Sequence, residues 1–326
     1  MPLLKLVPDN TNIDFLRWRS VTFIVSALLV AGSIFFLAAK GLNFGVDFVG
    51  GQMVRVSFAQ APSLGELRDR VDALGLGDST IQEAGSPRDI SIRLPLPEGG
   101  EGAANEAGSE VRELVETDYP GATIESVDTV SGQVSNELVR AGALALLFAM
   151  IAISIYIWFR FEWQFGVGAL ISLLHDVLIV LGFLAFTQLE FDLNVVAALL
   201  TLIGYSLNDT IVIFDRVREN LRKYRKMEIE ALLNLSVNET LSRTVATNLT
   251  MLLALGSLLF IGPEVIYSFT ATLFVSVIIG TYSTTYVAAP ILIWLKVTPD
   301  SFLPPEAGRG GAERVTPREA DDGAKI

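Results

Sequence analysis

Six long apolar runs constrain the fold of this chain more than any other feature of its sequence. They lie at 21–39, 139–159, 165–187, 193–214, 245–262 and 266–295. A helix needs about 20 predominantly apolar residues to cross the hydrocarbon core of a bilayer, and the runs are close to this length. Of the 326 residues, 51% are hydrophobic, and the mean hydropathy is +0.49. The sequence therefore predicts an α-helical polytopic membrane protein with six transmembrane helices.

The first run follows Lys5, Arg17 and Arg19, a pattern that signal peptides share with N-terminal membrane helices. The run is long for a signal core, and no clean small-x-small cleavage site accompanies it. We therefore expect residues 21–39 to remain as the first transmembrane helix.

Residues 40–138 have the character of a soluble domain. Alternating apolar and polar residues predict a strand at 52–58, and helical spacing behind an N-cap serine predicts a helix from Ser63 to Leu74. Further patterns indicate strands at 80–84, 90–94 and 122–131 and a helix at 109–119. The order βαββαβ predicts a small ferredoxin-like α+β domain between the first and second membrane helices.

Composition excludes several classes of function. The formal net charge of −12 argues against nucleic-acid binding, and the absence of cysteine excludes thiol nucleophiles and cysteine-ligated metals. The single histidine, His175, excludes clustered-histidine metal sites, and no Gly-x-x-x-x-Gly-Lys-Ser/Thr loop for ATP is present. We therefore expect a protein that is not an enzyme and that binds neither a cofactor nor a metal.

The basic residues predict the orientation of the helices. They concentrate before the first run, at Arg160, at 216–226 and after the last run, whereas the loops 188–192 and 263–265 have none. By the positive-inside rule both termini are cytoplasmic, and the domain at 40–138 lies on the periplasmic side. This assigns 1–20 as a cytoplasmic N-terminus, 215–243 as an amphipathic cytoplasmic segment and 296–326 as a disordered cytoplasmic tail.

One carboxylate, Asp209, interrupts the apolar run at 193–214. An acidic side chain inside the membrane is costly unless it is paired or protonated, so it marks a candidate functional site. Arg243, near the start of the next helix, enters from the same side and is a candidate ion-pair partner. A guanidinium within about 4–6 Å would stabilise the charged carboxylate, whereas burial without it would favour the protonated form. Asn208, Thr210, Thr244, Thr247 and Asn248 are candidate hydrogen-bonding neighbours.

Asp209 and Arg243 allow two interpretations, a site that loads and releases a proton or a static ion pair that fixes helix packing. Asp176, beside His175 in the middle of the third helix, is a further candidate for the proton pathway or a polar contact between helices. Two intramembrane aspartates also occur in aspartic proteases, where they share a proton. The predicted depths of Asp176 and Asp209 differ by roughly 8 Å at helical rise, which is too far for sharing.

The stretch NFGVDFVGG, residues 43–51, follows the first helix. Its glycines Gly45, Gly50 and Gly51 surround Asp47. Glycine permits backbone conformations that other residues avoid, so we predict a hinge between the first helix and the first strand of the domain.

These motifs together resemble the SecF family, the smaller membrane subunits of bacterial SecD–SecF protein-export complexes in the resistance–nodulation–division superfamily. The matching sequences are NFGVDFVGG at 43–51, RFEW at 160–163, LHDV at 174–177, EF at 190–191, GYSLNDTIVIFDRVREN at 204–220, SRT at 242–244 and GTYSTTYVAAPILIWL at 280–295. One departure is the sequence Ser-Gly-Gln-Val-Ser at 131–135, where similar proteins carry a Gly-Pro and a further glycine.

The resemblance implies a bacterial inner-membrane protein that uses the proton-motive force to assist late, ATP-independent movement of preproteins. It implies that Asp209 and Arg243 belong to the proton pathway, with protons as the coupling ion. It also implies SecD as an obligate partner, together with the SecY–SecE–SecG channel, SecA, YajC, the translocating preprotein and membrane lipids. Two alternatives remain: a scaffold that stabilises the translocation channel, and a half-size proton-driven efflux transporter.

Overall fold

The computed structural model describes residues 7–8, 11–77, 79–95 and 101–297. In these ranges, six helical segments are long and apolar enough to cross a membrane. The membrane helices are α1 (Arg19–Ala39), α5 (Gly132–Arg160), α6 (Trp163–Thr187), α7 (Leu193–Lys223), α8 (Ile229–Ile261) and a composite last segment of α9 (Tyr267–Ser283), a π-helical turn (Thr284–Ala288) and α10 (Ala289–Trp294). The prediction of six membrane helices is confirmed.

The domain between α1 and α5 has the predicted ferredoxin-like order. Its elements are β2 (Gly51–Ser57), α3 (Leu64–Asp72), β3 (Thr80–Ala84), β4 (Ser86–Leu94), α4 (Glu101–Asp118) and β5 (Thr123–Val130). The strands form an antiparallel sheet in the order β3-β4-β2-β5. Ser63 caps α3 by accepting a hydrogen bond from the backbone N–H of Glu66, as its sequence indicates. Buried apolar residues of the sheet pack against both helices.

Two short elements connect α1 to this domain. They are β1 (Asn43–Phe44) and the single-turn helix α2 (Val46–Val49). β1 pairs in parallel with β6 (Glu190–Phe191), which lies in the connection between α6 and α7. The predicted hinge is thus hydrogen-bonded to the membrane helices rather than suspended between two domains.

The segment 215–243 differs from the amphipathic surface segment that its sequence indicated. Residues up to Lys223 continue α7, and residues from Ile229 onward already belong to α8. The apolar residues of these extensions are buried between the two helices and against the segment before α1; they include Phe15, Leu16, Val217, Leu221, Leu232, Leu233 and Val237. The periodic pattern therefore records packing between two extended helices. The predicted tail at 296–326 lies outside the described residues from 298 onward.

All four tryptophans of the chain lie at the end of the helical bundle that carries the described termini. Trp18 precedes α1, Trp158 is near the end of α5, Trp163 begins α6 and Trp294 ends α10, and all four are exposed. Indole rings collect at membrane–water interfaces, so this ring of tryptophans indicates the level of one membrane surface. We call this end the terminal side and the opposite end the domain side.

Ser131 caps α5 at the domain side. Its side chain accepts a hydrogen bond from the backbone N–H of Val134, and the helix then runs without interruption to Arg160. Residues 131–135, where the sequence departs from that of similar proteins, thus form an ordinary helix start that directly follows β5.

Candidate functional site

Asp209 lies on α7 and is 6% exposed. Its Oδ2 accepts a hydrogen bond of 3.0 Å from Nδ2 of Asn248 on α8. The amide oxygen of Asn248 in turn accepts a hydrogen bond of 2.6 Å from the hydroxyl of Tyr205, one turn before Asp209 on α7. The three side chains form a polar cluster between two neighbouring membrane helices.

The predicted ion pair between Asp209 and Arg243 is not formed. Arg243 exerts an electrostatic attraction on the carboxylate but makes no ion pair with any residue that the structure describes. The reason is the rotation of α8: Thr244 and Asn248, four residues apart, share its buried face. Arg243 precedes that face by one residue and is exposed.

Exposed polar side chains continue from Arg243 along the bundle surface. Thr247 and Thr250 are exposed on α8, and Asn208 is exposed on the neighbouring helix α7. The hydroxyl of Thr247 donates to backbone carbonyls of its own helix and also interacts with the hydroxyl of Tyr205 on α7. We call Asn208, Arg243, Thr247 and Thr250 the polar stripe. Such residues are rare on lipid-facing surfaces, because hydrocarbon cannot hydrogen-bond to them.

Asp176 belongs to a separate cluster. It is fully buried, and its Oδ2 accepts hydrogen bonds from the hydroxyls of Ser206 on α7, at 2.6 Å, and Ser283 on α9, at 2.7 Å. Its Oδ1 lies 3.0 Å from Nδ1 of His175. This carboxylate therefore joins three helices. No hydrogen bond links Asp176 to Asp209 in the described chain, so the shared proton of an aspartic protease has no support here.

The Asp176 cluster adjoins the irregular turn in the last membrane segment. Thr210, beside Asp209, lies 3.3 Å from Thr284 between the two hydroxyl oxygens, and Thr284 begins the π-helical turn. Single π-helical turns are frequent at functional sites. The sequence did not single out Tyr205, Ser206 or Ser283. For Tyr205 and Ser206 a signal was available, since each lies one helical turn before a polar residue of α7.

The hinge residues contact the start of α7. Oδ2 of Asp47 accepts a hydrogen bond of 3.0 Å from the backbone N–H of Leu193. The N–H of Gly45 donates to the carbonyl of Phe191 across 2.9 Å. A Cβ on Gly45 would lie 2.6 Å from Oε1 of Glu190, so a larger residue at this position would displace the Glu190 carboxylate. Gly50 and Gly51 have φ values of 73° and 117°, the region that favours glycine.

One guanidinium connects the sheet of the domain to the α6–α7 connection. Arg55 on β2 pairs with Asp128 on β5 at 2.6 Å and with Glu190 at 3.2 Å. Burial raises the pKa of Glu190, and the neighbouring Arg55 reduces this rise without cancelling it. Burial also raises the pKa of Asp192, next to β6. Burial thus favours the protonated form of two carboxyls in the contact between the domain and the membrane helices.

A small cavity lies above this contact. Residues from the domain, the α6–α7 connection and the turn between α8 and α9 line it, among them Arg55, Ala84, Glu190, Asp192, Glu264 and Val265. Gly85 approaches the turn so closely that a Cβ would lie 2.6 Å from Oε1 of Glu264. The domain therefore rests on two connections between membrane helices.

Two family models match the chain. The model described as "Protein export membrane protein SecD/SecF, C-terminal" covers residues 110–298, more than half of the sequence. The model described as "SecD/SecF GG Motif" covers residues 35–62, which include the hinge glycines and Asp47. The chain belongs to the SecD/SecF protein-export family.

Relatives support this assignment to the SecD/SecF family over most of the chain. The protein translocase subunit SecF of Rickettsia conorii is 43% identical over 295 residues, covering 89% of this chain and 94% of the relative. The subunit of the same name from Rickettsia rickettsii is 44% identical over 292 residues, with the same coverage. The family resemblance inferred from the sequence is confirmed.

Solved structures of SecDF share the fold. The crystal structure of SecDF, a translocon-associated membrane protein from Thermus thermophilus, superposes with a TM-score of 0.81 at 33% identity over 89% of this chain. A structure of SecDF in a super-membrane-facing form gives a TM-score of 0.60 at 31% identity over 90% of this chain. Our chain spans only 40% of each of those chains.

Proposed function

We propose that the chain is a membrane subunit of the Sec protein-export machinery that assists late, ATP-independent translocation of preproteins by using the proton-motive force together with SecD. The observation that carries this proposal is the carboxylate of Asp209. It is buried inside a membrane helix, and its hydrogen-bond partner is a neutral amide. Intramembrane carboxylates with such surroundings are typical of proton-coupled membrane proteins.

The polar stripe supports a partner lobe. Arg243 is a cation at the level of a membrane helix with no counter-ion in the described chain, which is unfavourable against lipid. A second membrane lobe would cover it, and proton-driven transporters are commonly built from two related lobes with the site between them. The matched SecDF chains are about two and a half times as long as the aligned part, which agrees with SecD as this partner.

The energetics suit a two-state cycle. A proton that crosses a potential of about 100 mV releases about 2.3 kcal/mol. Protonation of Asp209 removes its attraction to Arg243 and leaves the Asn248 amide as its neighbour. Each proton thereby favours one of two packings of α7 and α8, and the movement passes to the α+β domain. Protons are the coupling ion, and the chain needs no other cofactor and catalyses no bond cleavage.

The same proposal places the chain in the bacterial inner membrane. The terminal side is cytoplasmic, and the domain side, with residues 40–138, is periplasmic. There the domain meets preproteins that leave the SecY–SecE–SecG channel after SecA has started them, with YajC as a further associated subunit. The basic residues on the terminal side, among them Arg160, Arg222 and Lys223, support this orientation.

Substitution of Asp209 by asparagine tests the function. Asp209→Asn keeps the size of the side chain and removes its charge. We expect export in reconstituted membranes with SecD to lose its dependence on the proton-motive force, while SecD still copurifies. The matched control is Asp215→Asn on the same helix, since Asp215 is exposed and pairs with Arg160 at 2.8 Å. Unchanged export in the Asp209 variant would favour the scaffold instead.

The half-size efflux transporter is the second alternative. It predicts proton-dependent extrusion of small amphiphilic molecules from vesicles that contain the chain and its partner but no translocation channel. Under our proposal such vesicles show no extrusion.

A further inference from the structure

The first turn of α7 is held by two carboxylates from different parts of the chain. The first four N–H groups of any helix lack partners within the helix. Asp192, the N-cap residue, accepts a hydrogen bond of 2.8 Å from the N–H of Val195. Asp47, which is 146 residues away, accepts from the N–H of Leu193. α7 is therefore capped once by its own sequence and once by the hinge.

Asp47 is linked to the domain by very few residues. It lies in the single turn α2, and β2 begins at Gly51. β2 is flanked by β4 and β5, so it is an interior strand of the sheet. A displacement of the first turn of α7 is thus transmitted to the middle of the sheet through three intervening residues.

The same helix carries Asp209. From Leu193 to Asp209 α7 is continuous, and the rise over these sixteen residue steps is about 24 Å. A continuous helix moves as one rod over such a length. The end that Asp47 caps therefore reports the position of the segment around Asp209.

Phe48 of α2 packs in the apolar cluster that contains Val195 and Val196 of α7, but the other hydrogen bonds and ion pairs of the domain do not reach this helix directly. Arg55 binds Glu190, and β1 pairs with β6; both partners precede α7 in the connection from α6. The turn between α8 and α9, next to Gly85, is likewise outside α7. Among the described hydrogen bonds and ion pairs, the Asp47–Leu193 bond is the direct one between the hinge and α7.

We propose that Asp47 is a positioning residue that couples α7 to the α+β domain by capping the helix from the hinge. The proposal rests on the proposed proton-driven function, and it identifies the contact through which a movement of α7 reaches the domain. Asp192 caps the same helix without belonging to the hinge, so it stabilises α7 but does not couple it. Capping and coupling are therefore separable, because the two carboxylates accept from different N–H groups, those of Leu193 and Val195.

The chain contains no cysteine, so two introduced cysteines are its only labelling sites when it is labelled before SecD is added. We place spin labels at Glu113→Cys on α4 and Ala197→Cys on α7, both exposed positions. The full chain is reconstituted with SecD, and the distance between the labels is measured with and without Asp209→Asn, which mimics the protonated carboxyl. The change in this distance is the coupling response.

The response is then measured in three further backgrounds. Asp47→Ala removes the hinge cap, and we expect the response to disappear. Asp47→Asn retains a capping side chain, because asparagine caps helices as well as aspartate does, and we expect the response to return. Asp192→Ala removes the other cap and leaves the hinge bond, and we expect the response to persist.

Each other outcome overturns a defined claim. A response that survives in Asp47→Ala, or that disappears equally in Asp192→Ala, shows that Asp47 is only a helix cap and overturns the inference alone. A parent chain that shows no response to Asp209→Asn overturns the coupling proposal, and if its export also remains fully proton-dependent, it overturns the proposed function with it. Circular dichroism and copurification with SecD establish that each variant is folded.

Discussion

Asn248 on α8 donates a hydrogen bond of 3.0 Å to the carboxylate of Asp209 on α7. The amide also accepts a hydrogen bond from the hydroxyl of Tyr205, so it contacts two polar groups of α7 at once. A neutral side chain thus holds the carboxylate in this state of the chain, and Arg243 remains available on the surface.

Replacement of Asn248 by leucine is expected to destabilise the bundle. The variant removes the hydrogen bond of 3.0 Å to the buried carboxylate of Asp209, and an unsatisfied buried group costs about 1–3 kcal/mol. The free energy of unfolding in detergent measures this loss. Thr250→Val is the matched control on an exposed turn of α8, with an expected change within about 0.5 kcal/mol. Equal effects in both variants would contradict the role of Asn248.

Arg243→Gln is expected to separate function from stability. Arg243 makes no ion pair in the described chain, so the free energy of unfolding of the isolated chain should change by no more than about 0.5 kcal/mol. Proton-dependent export in the complex with SecD should nevertheless be lost. A clear loss of stability in the isolated chain would instead indicate a static ion pair within this lobe.

Ser283→Ala is expected to weaken the cluster around Asp176. The variant removes one of the two hydroxyl donors from a fully buried carboxylate, at a cost of about 1–3 kcal/mol in unfolding free energy. Ser257→Ala is the comparison, because Ser257 is exposed and its hydroxyl donates to a carbonyl of its own helix. If thermal unfolding finds both variants equally stable, Asp176 does not depend on Ser283 for its place between the helices.

Contact between the domain and the membrane helices is expected to weaken as the pH rises. Burial raises the pKa of both Glu190 and Asp192, so the docked state binds more protons than a state in which they are solvated. This contribution is complete below the ordinary pKa of the free carboxyls and is lost as the pH rises through the raised values. Burial also raises the pKa of Glu264, which lines the same cavity, to about 7, so docking should loosen as the pH rises through about 7.

Spin labels at Ala84→Cys on the domain and Val265→Cys on the turn between α8 and α9, both of which line the cavity, measure this docking. The fraction of molecules with the longer distance between the two labels should increase as the pH rises. The triple variant Glu190→Gln, Asp192→Asn and Glu264→Gln should remove the dependence, and the asparagine at position 192 can still cap α7. A distance that is independent of pH in the parent chain would contradict the prediction.

The sequence was informative where one local pattern determines one structure. Hydropathy located the six membrane helices, and alternation in the domain indicated the strands of a ferredoxin-like sheet. Asp209 was identified because it lies within an apolar run, and the free-energy cost of placing a carboxylate inside the membrane does not depend on how the helices pack. These features depend on neighbours within a few turns of the chain.

Contacts that depend on the rotation of a helix were not predictable in this way. A shift of one residue, about 100° around α8, exchanges the face of Thr244 and Asn248 for that of Arg243 and Thr247. The bond from Leu193 to Asp47 joins positions 146 residues apart, and no local pattern indicates it. The amphipathic pattern at 215–243 was real, but it described helix–helix packing rather than a membrane surface.

The ring of four tryptophans has a consequence for how the bundle moves. Indole rings resist displacement from an interface, so we expect the terminal ends of the four segments that carry them, α1, α5, α6 and α10, to stay at a nearly constant depth. A rod that is anchored at one end and tilts sweeps its widest arc at the other. Tilts of these four segments therefore displace their domain-side ends most, where α1 leads into the hinge and α5 leads out of the sheet.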